Sequence, residues 1–192
     1  MFFGLDISTT ITGWSLLDND GNVIKSGYVK FPKSLGTDLF DKMDYFEKEI
    51  TPIIKQHKKD IKFWGVEEAA KKFQQGKSSA RTIFTCASFN FGVTRSVQKI
   101  LKKKPIYIPS SSARKMVSLK IPKEQNGKLL DKKDKKSYIV DWCKEKYPNL
   151  VWNLTRNGTY KPYCFDVADS LVVAEAIRLS NESNISTARR NS

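Results

Sequence analysis

Apolar positions recur with distinct rhythms along these 192 residues, and each rhythm predicts an element. Phe2, Phe3, Leu5 and Ile7 form a short apolar run, which reads as a buried strand over 2–7 with Asp6 near its carboxyl end. Gly13 to Leu17 predicts a second strand. "DNDG" at 18–21 is a turn signal leading into a third, Val23 to Phe31, and three strands so closely joined make an antiparallel meander. The period then changes. Leu39, Phe40, Met43, Phe46, Ile50, Ile53 and Ile54 recur every three or four residues, so Asp38 to His57 is predicted as an amphipathic helix.

"IKFWGVEE", Ile61 to Glu68, returns to strand. Ser78 to Leu101 predicts a long helix, Pro105 to Ile108 a short strand, and Ser110 to Leu119 a serine-capped helix. Pro122 and the "NG" pair predict a loop over 120–131. Lys132 to Tyr147 reads as helix, residues 152–163 as irregular, and Phe165 to Leu179 as the last helix. From Asn181 the chain is polar and rich in Ser, Asn and Arg, so one domain over 1–180 and a disordered tail over 181–192 are expected. Meander first, then alternating helix and strand, gives an α/β sandwich: a mixed sheet flanked by helices.

Composition narrows the class. With 40% hydrophobic and 28% charged residues the chain reads as globular, and no run reaches the roughly 20 apolar residues of a membrane span. The first residues lack a basic region followed by an apolar run, so a cytoplasmic location is expected. Cys86, Cys143 and Cys164 are widely spaced and read as free thiols. His57 is the only histidine, which leaves Ser–His or Cys–His catalysis little support.

Charge adds a direction. The net charge is +14, and between Lys99 and Lys136 stand 13 basic residues against three acids, a surplus of ten. An excess that concentrated favours a polyanion, nucleic acid before membrane. Lys102, Lys103, Lys104, Arg114, Lys115, Lys120, Lys132, Lys133 and Lys135 are expected to contact phosphates.

Against this background the carboxylates are conspicuous. Asp6 lies on the first strand and Glu67 and Glu68 end the fourth; sites in such sheets gather at the carboxyl ends of parallel strands. Asp166 and Asp169 are one helical turn apart and share a face. A lone buried carboxylate is costly, and several together are unfavourable without a cation, for which Mg²⁺ is the natural partner of hard oxygen donors. Acids clustered in a strongly basic protein therefore suggest a metal site acting on a polyanion.

"GLDISTTITGWSLL", "WGVEE", "SSSARKMV" and "DVADSLVVAEA", in that order over residues 1–179, resemble the Holliday junction resolvases of the RuvC type, within the ribonuclease H-like nucleases. The resemblance implies a mixed five-stranded sheet, three antiparallel strands then parallel ones, flanked by helices. It implies catalytic, metal-holding acids at Asp6, Glu67, Asp166 and Asp169. Glu67 is preferred to Glu68 because period two puts it on the face of Gly65. It also implies a basic residue at Lys136, with Lys135 as the alternative, and a junction-inserting aromatic at Phe73. The cofactor implied is a pair of Mg²⁺ ions, with Mn²⁺ as a substitute. The partners implied are four-way and branched DNA and a second copy of the chain, which would cut as a homodimer. The extended "KIPKEQNGKLLDKKDKK" and the enlarged 152–163 tract fit phage or viral members better than cellular ones.

Three rivals stay in view. "GLDISTT" also resembles the phosphate loop of sugar kinases and actin-like ATPases, which need a second domain and further glycine-rich loops. A non-catalytic branched-DNA-binding module would keep the basic face without needing the acids. A related nuclease acting on flaps or RNA–DNA hybrids would carry the same acids.

Overall fold

The computed structural model describes residues 1–69, 79–125 and 128–190. A five-stranded sheet is its centre. Strands β1 (Phe2–Asp6), β2 (Ile11–Leu17) and β3 (Val23–Lys30) form the antiparallel meander, and β4 (Phe63–Glu67) and β5 (Ile106–Ile108) add parallel to β1, in the order β3-β2-β1-β4-β5. Helices α1 (Leu39–His57) and α2 (Ala80–Leu101) cover one face. On the other lie α3 (Ser110–Met116), α4 (Lys132–Lys146) and α5 (Pro162–Arg190).

Strand alternation sorts the core into two layers. Phe3, Leu5, Trp14, Leu16, Trp64 and Val66 point to the α1–α2 side. The alternate residues, Phe2, Gly4 and Asp6 on β1 and Phe63, Gly65 and Glu67 on β4, face α5. Small residues there let the helix descend onto the backbone. A Cβ on Gly4 would meet the Ser170 carbonyl oxygen and stand 2.6 Å from the Ala174 nitrogen; one on Gly13 would collide with the Asp166 carbonyl and stand 2.7 Å from the Val167 nitrogen. Every residue from Val167 to Arg178 is buried. Such a helix has the sheet on one side and α3 and α4 on the other, and burial of each large aliphatic side chain contributes about 1.5–3 kcal/mol.

Helix α4 opens with a reciprocal capping box between Asp131 and Asp134. Three expectations need correction. The 120–131 segment holds two short paired strands, β6 (Glu124–Gln125) and β7 (Lys128–Leu129), as an Asn-Gly pair between extended residues favours. Helix α5 begins at Pro162 rather than Phe165. It also runs past Leu179 to Arg190, through most of the segment expected to be disordered, helped by the Arg178–Glu182 ion pair and by the Ser183 hydroxyl donating to the Leu179 carbonyl at 2.9 Å.

Candidate active site

Parallel pairing brings the first two acids together. Leu5 is in register with Val66, so Asp6 and Glu67, one residue on, are side-by-side neighbours pointing to the same face. Helix α5 crosses diagonally above them. Its residues Asp166 and Asp169 sit over the amino end of β2 and the carboxyl end of β1 because Gly13 and Gly4 leave no side chain in the way. Four acids from three distant segments thus face one another.

Their electrostatics show the crowding. Burial, then the charges of Glu67, Asp169 and Asp166, raise the Asp6 carboxyl well above its ordinary range. Burial and Asp169 push Glu67 up to about 7, against the pull of Arg114 and Lys136. Asp166 is raised to about 6, chiefly by burial. Two cations answer from the neighbouring helices: Arg114 of α3 and Lys136 of α4 each stand 3.5 Å from a different oxygen of Asp169. Burial alone would lower the Lys136 ammonium, but Asp169, Asp6 and Asp166 outweigh it and raise it. Its Nζ also stands 5.9 Å from the Phe165 ring centre. The Ser110 hydroxyl, at the start of α3, hydrogen-bonds to Glu67.

Among the described residues, no three His, Cys, Asp or Glu side chains are grouped tightly enough to hold a metal ion as they stand. Asp169 is engaged by Arg114 and Lys136. The donor chemistry nevertheless fits a divalent cation: four carboxylates supply hard oxygen, and the charge of three is poorly compensated by the protein alone.

Other expected residues fall elsewhere. Lys135 is exposed, whereas Lys136 begins the buried stripe of α4 that continues through Ile139, Val140, Cys143 and Tyr147. Lys115 and Lys120 are exposed and, with Arg114, line a shallow groove beside the acids. Lys102, Lys103 and Lys104 precede β5, at the end of the sheet opposite the acids, where Lys103 is tied to the Ile61 carbonyl. Lys132 and Lys133 open α4, with side chains outside the described set. Phe73 also lies outside the described residues. Arg114, expected to contact phosphates, stands against Asp169. The loop hydroxyl of Ser8 closes the β1–β2 connection, donating to the Ile11 carbonyl at 2.7 Å and accepting its N–H at 3.2 Å; this gives "ST" a local use other than gripping a nucleotide.

No protein-family model and no curated protein sequence matches the chain. Solved structures do. Thermus thermophilus RuvC in complex with a Holliday junction substrate superposes with a TM-score of 0.65 over 95% of this chain and 95% of that one, at 9% sequence identity. The fold is that of RuvC. A second structure of Thermus thermophilus RuvC matches with a TM-score of 0.59 at 10% identity, over 95% of this chain and 96% of the other. Coverage this complete means that the likeness extends over the sheet and the helices on both its faces. At this identity the likeness concerns architecture, and the side chains must speak for the chemistry. No helix among the described residues is long and apolar enough to cross a membrane.

Proposed function

We propose that this chain is a divalent-metal-dependent endonuclease that resolves Holliday junctions and related branched DNA by paired cuts. The observation that carries the reading is the meeting of Asp6, Glu67, Asp166 and Asp169 at the carboxyl ends of β1 and β4, with Arg114 and Lys136 beside them. It is supported by the RuvC architecture and by the surplus of positive charge in the chain.

Asp6, Glu67, Asp166 and Asp169 would hold Mg²⁺, two ions with Mn²⁺ as a substitute. When bound, such cations supply Lewis acidity and positive charge toward a phosphate. Asp6 and Glu67, fixed on adjacent strands, define the floor of the site; Asp166 and Asp169, fixed by the packing of α5, define its roof. Lys136 and Arg114 bring positive charge to the place where negative charge grows on the scissile phosphate, and each can exchange Asp169 for a phosphate oxygen. The groove with Lys115 and Lys120 leads the backbone toward this point by contacts that position without reading sequence. Paired cuts call for two sites related by a two-fold axis, so the active species is a homodimer.

The test is a digest of a four-way junction, a flap, a linear duplex and an RNA–DNA hybrid, in Mg²⁺ and in EDTA. Symmetric nicks in the junction, abolished by EDTA, are expected. Cutting of the flap or hybrid in preference to the junction would assign the site to the wider ribonuclease H-like class. Binding without cutting would make the protein a branched-DNA-binding module.

A further inference from the structure

The row of residues that contains the acids ends, two strands away, in a pair of stacked tyrosines. Asp6 is in register with Gly13, and Gly13 with Tyr28. In-register neighbours share a face, so Tyr28 projects on the α5 side. There its ring stacks on Tyr163, with centres 4.1 Å apart and planes within 13° of parallel. Neighbouring strands are about 4.8 Å apart, which puts β3 about 10 Å from β1. Tyr163 precedes Asp166 by one turn of α5. At the 3.4 Å rise of a DNA strand, a phosphate at the acids has a base within about three nucleotides of this shelf.

The shelf is open and its surroundings suit that ligand. Tyr28 is 41% exposed, and both rings line a groove of ≈ 330 Å³ together with Ser26, Leu150, Trp152 and Asn153. Asn153 Nδ2 donates to the Tyr163 hydroxyl at 2.8 Å, which fixes the inner ring. The Trp152 indole N–H is buried without an acceptor among the described residues. The two segments that contribute most of the groove, β3 and residues 148–165, hold Lys30, Arg156 and Lys161 and not one acid; Lys25, paired with Leu16, points to the opposite face. An open, flat π surface on segments of positive charge, in line with a phosphate site, favours a nucleobase over a peptide.

We propose that the Tyr28–Tyr163 shelf is a nucleobase subsite: a base splayed from the stack near the cut lies on Tyr28 and fixes which phosphodiester reaches the acids. A linear duplex keeps its bases stacked inside, whereas a branch point frees them, so the subsite adds selectivity for branched DNA and a register for the cut. The inference rests on the proposed nuclease function. Its test uses a four-way junction carrying 2-aminopurine at each of the three nucleotides on either side of the cut in turn, bound to full-length protein in EDTA. A fluorescence change at one position is expected for wild type and for Tyr28→Phe. Tyr28→Leu, which keeps apolar bulk on the strand, should abolish the change and weaken binding about five-fold or more at an unchanged melting temperature. Equal signals in Tyr28→Leu and wild type at every position would overturn the subsite while leaving cleavage standing. A drop in association state on sedimentation of Tyr28→Leu, without loss of the base signal, would make the shelf a contact between copies and equally overturn it. A wild-type protein that neither binds nor cuts the junction would refute the nuclease reading instead.

Discussion

Three of the four acids hold their protons more tightly than a free carboxyl, and the sign of that shift makes a prediction. A carboxyl raised on folding binds more protons in the native than in the unfolded chain, so stability is lost as pH rises from the unfolded value through the folded one. For Glu67 that window runs from 4.5 to about 7. In EDTA, the melting temperature of Glu67→Gln should match wild type below pH 4.5 and rise above it as pH approaches 7, by about 2–4 °C per kcal/mol relieved. The same variant should lose cleavage by at least about a hundred-fold. A thermal melting series across pH, run beside a nicking assay, checks both. Lys136→Met should cut about a hundred-fold or more slowly and Lys135→Met about normally, since only Lys136 touches Asp169. The resemblance left Lys135 as the alternative to Lys136; in the fold Lys136, three, four, seven and eleven residues before the buried Ile139, Val140, Cys143 and Tyr147, faces the site while Lys135 is exposed. The choice of Glu67 was legible in the sequence, because period two ties it to Gly65. Arg114 was not separable from its basic neighbours, because its role depends on how α3 lies against α5, a contact between elements far apart in the chain.

At the scale of elements, the site depends on how closely α5 approaches the sheet. Gly13→Val would drive two methyl groups into the Asp166 backbone, which cannot swing aside as a side chain would. A loss of about 3 kcal/mol or more in urea unfolding is expected, with cleavage falling in parallel as the roof acids are lifted. The strands and the long helices announce themselves by periodicity. The short β6–β7 pair and the helical continuation beyond Leu179 did not, since polar, exposed residues carry little pattern and are decided by local contacts such as Arg178 with Glu182. Further along α5, Glu175 is 1% exposed and held by Arg178 and Lys146, which keep its carboxyl below the ordinary value despite burial. The Arg178 contact is an i,i+3 pair along α5, whereas the Lys146 contact joins two helices far apart in the chain and leaves no trace in the sequence pattern.

For the whole molecule, the sequence gives the amount of positive charge but not the side it faces. Lys115 and Lys120 share a groove with Arg114, which touches Asp169, while Lys102, Lys103 and Lys104 lie at the end of the sheet opposite the acids. Junction affinity should fall with salt, with a log–log slope of about −0.9 per phosphate neutralised. Lys115→Gln with Lys120→Gln should flatten that slope by about two, and Lys102→Gln with Lys104→Gln should leave it nearly unchanged; filter binding across a salt series reads this directly. An equal effect of both pairs would mean that the DNA wraps around the sheet.

The central burial of α5 has a consequence for how the protein is made. Until residues 162–178 leave the ribosome, the layer holding Phe2, Leu17 and Ile108 lacks its central helix and two of the four acids do not yet exist. On the proposed function, a chain stalled before Pro162 would be both unfinished as a fold and unable to cut DNA, so the onset of scission and the closure of the hydrophobic interior would be one event in time.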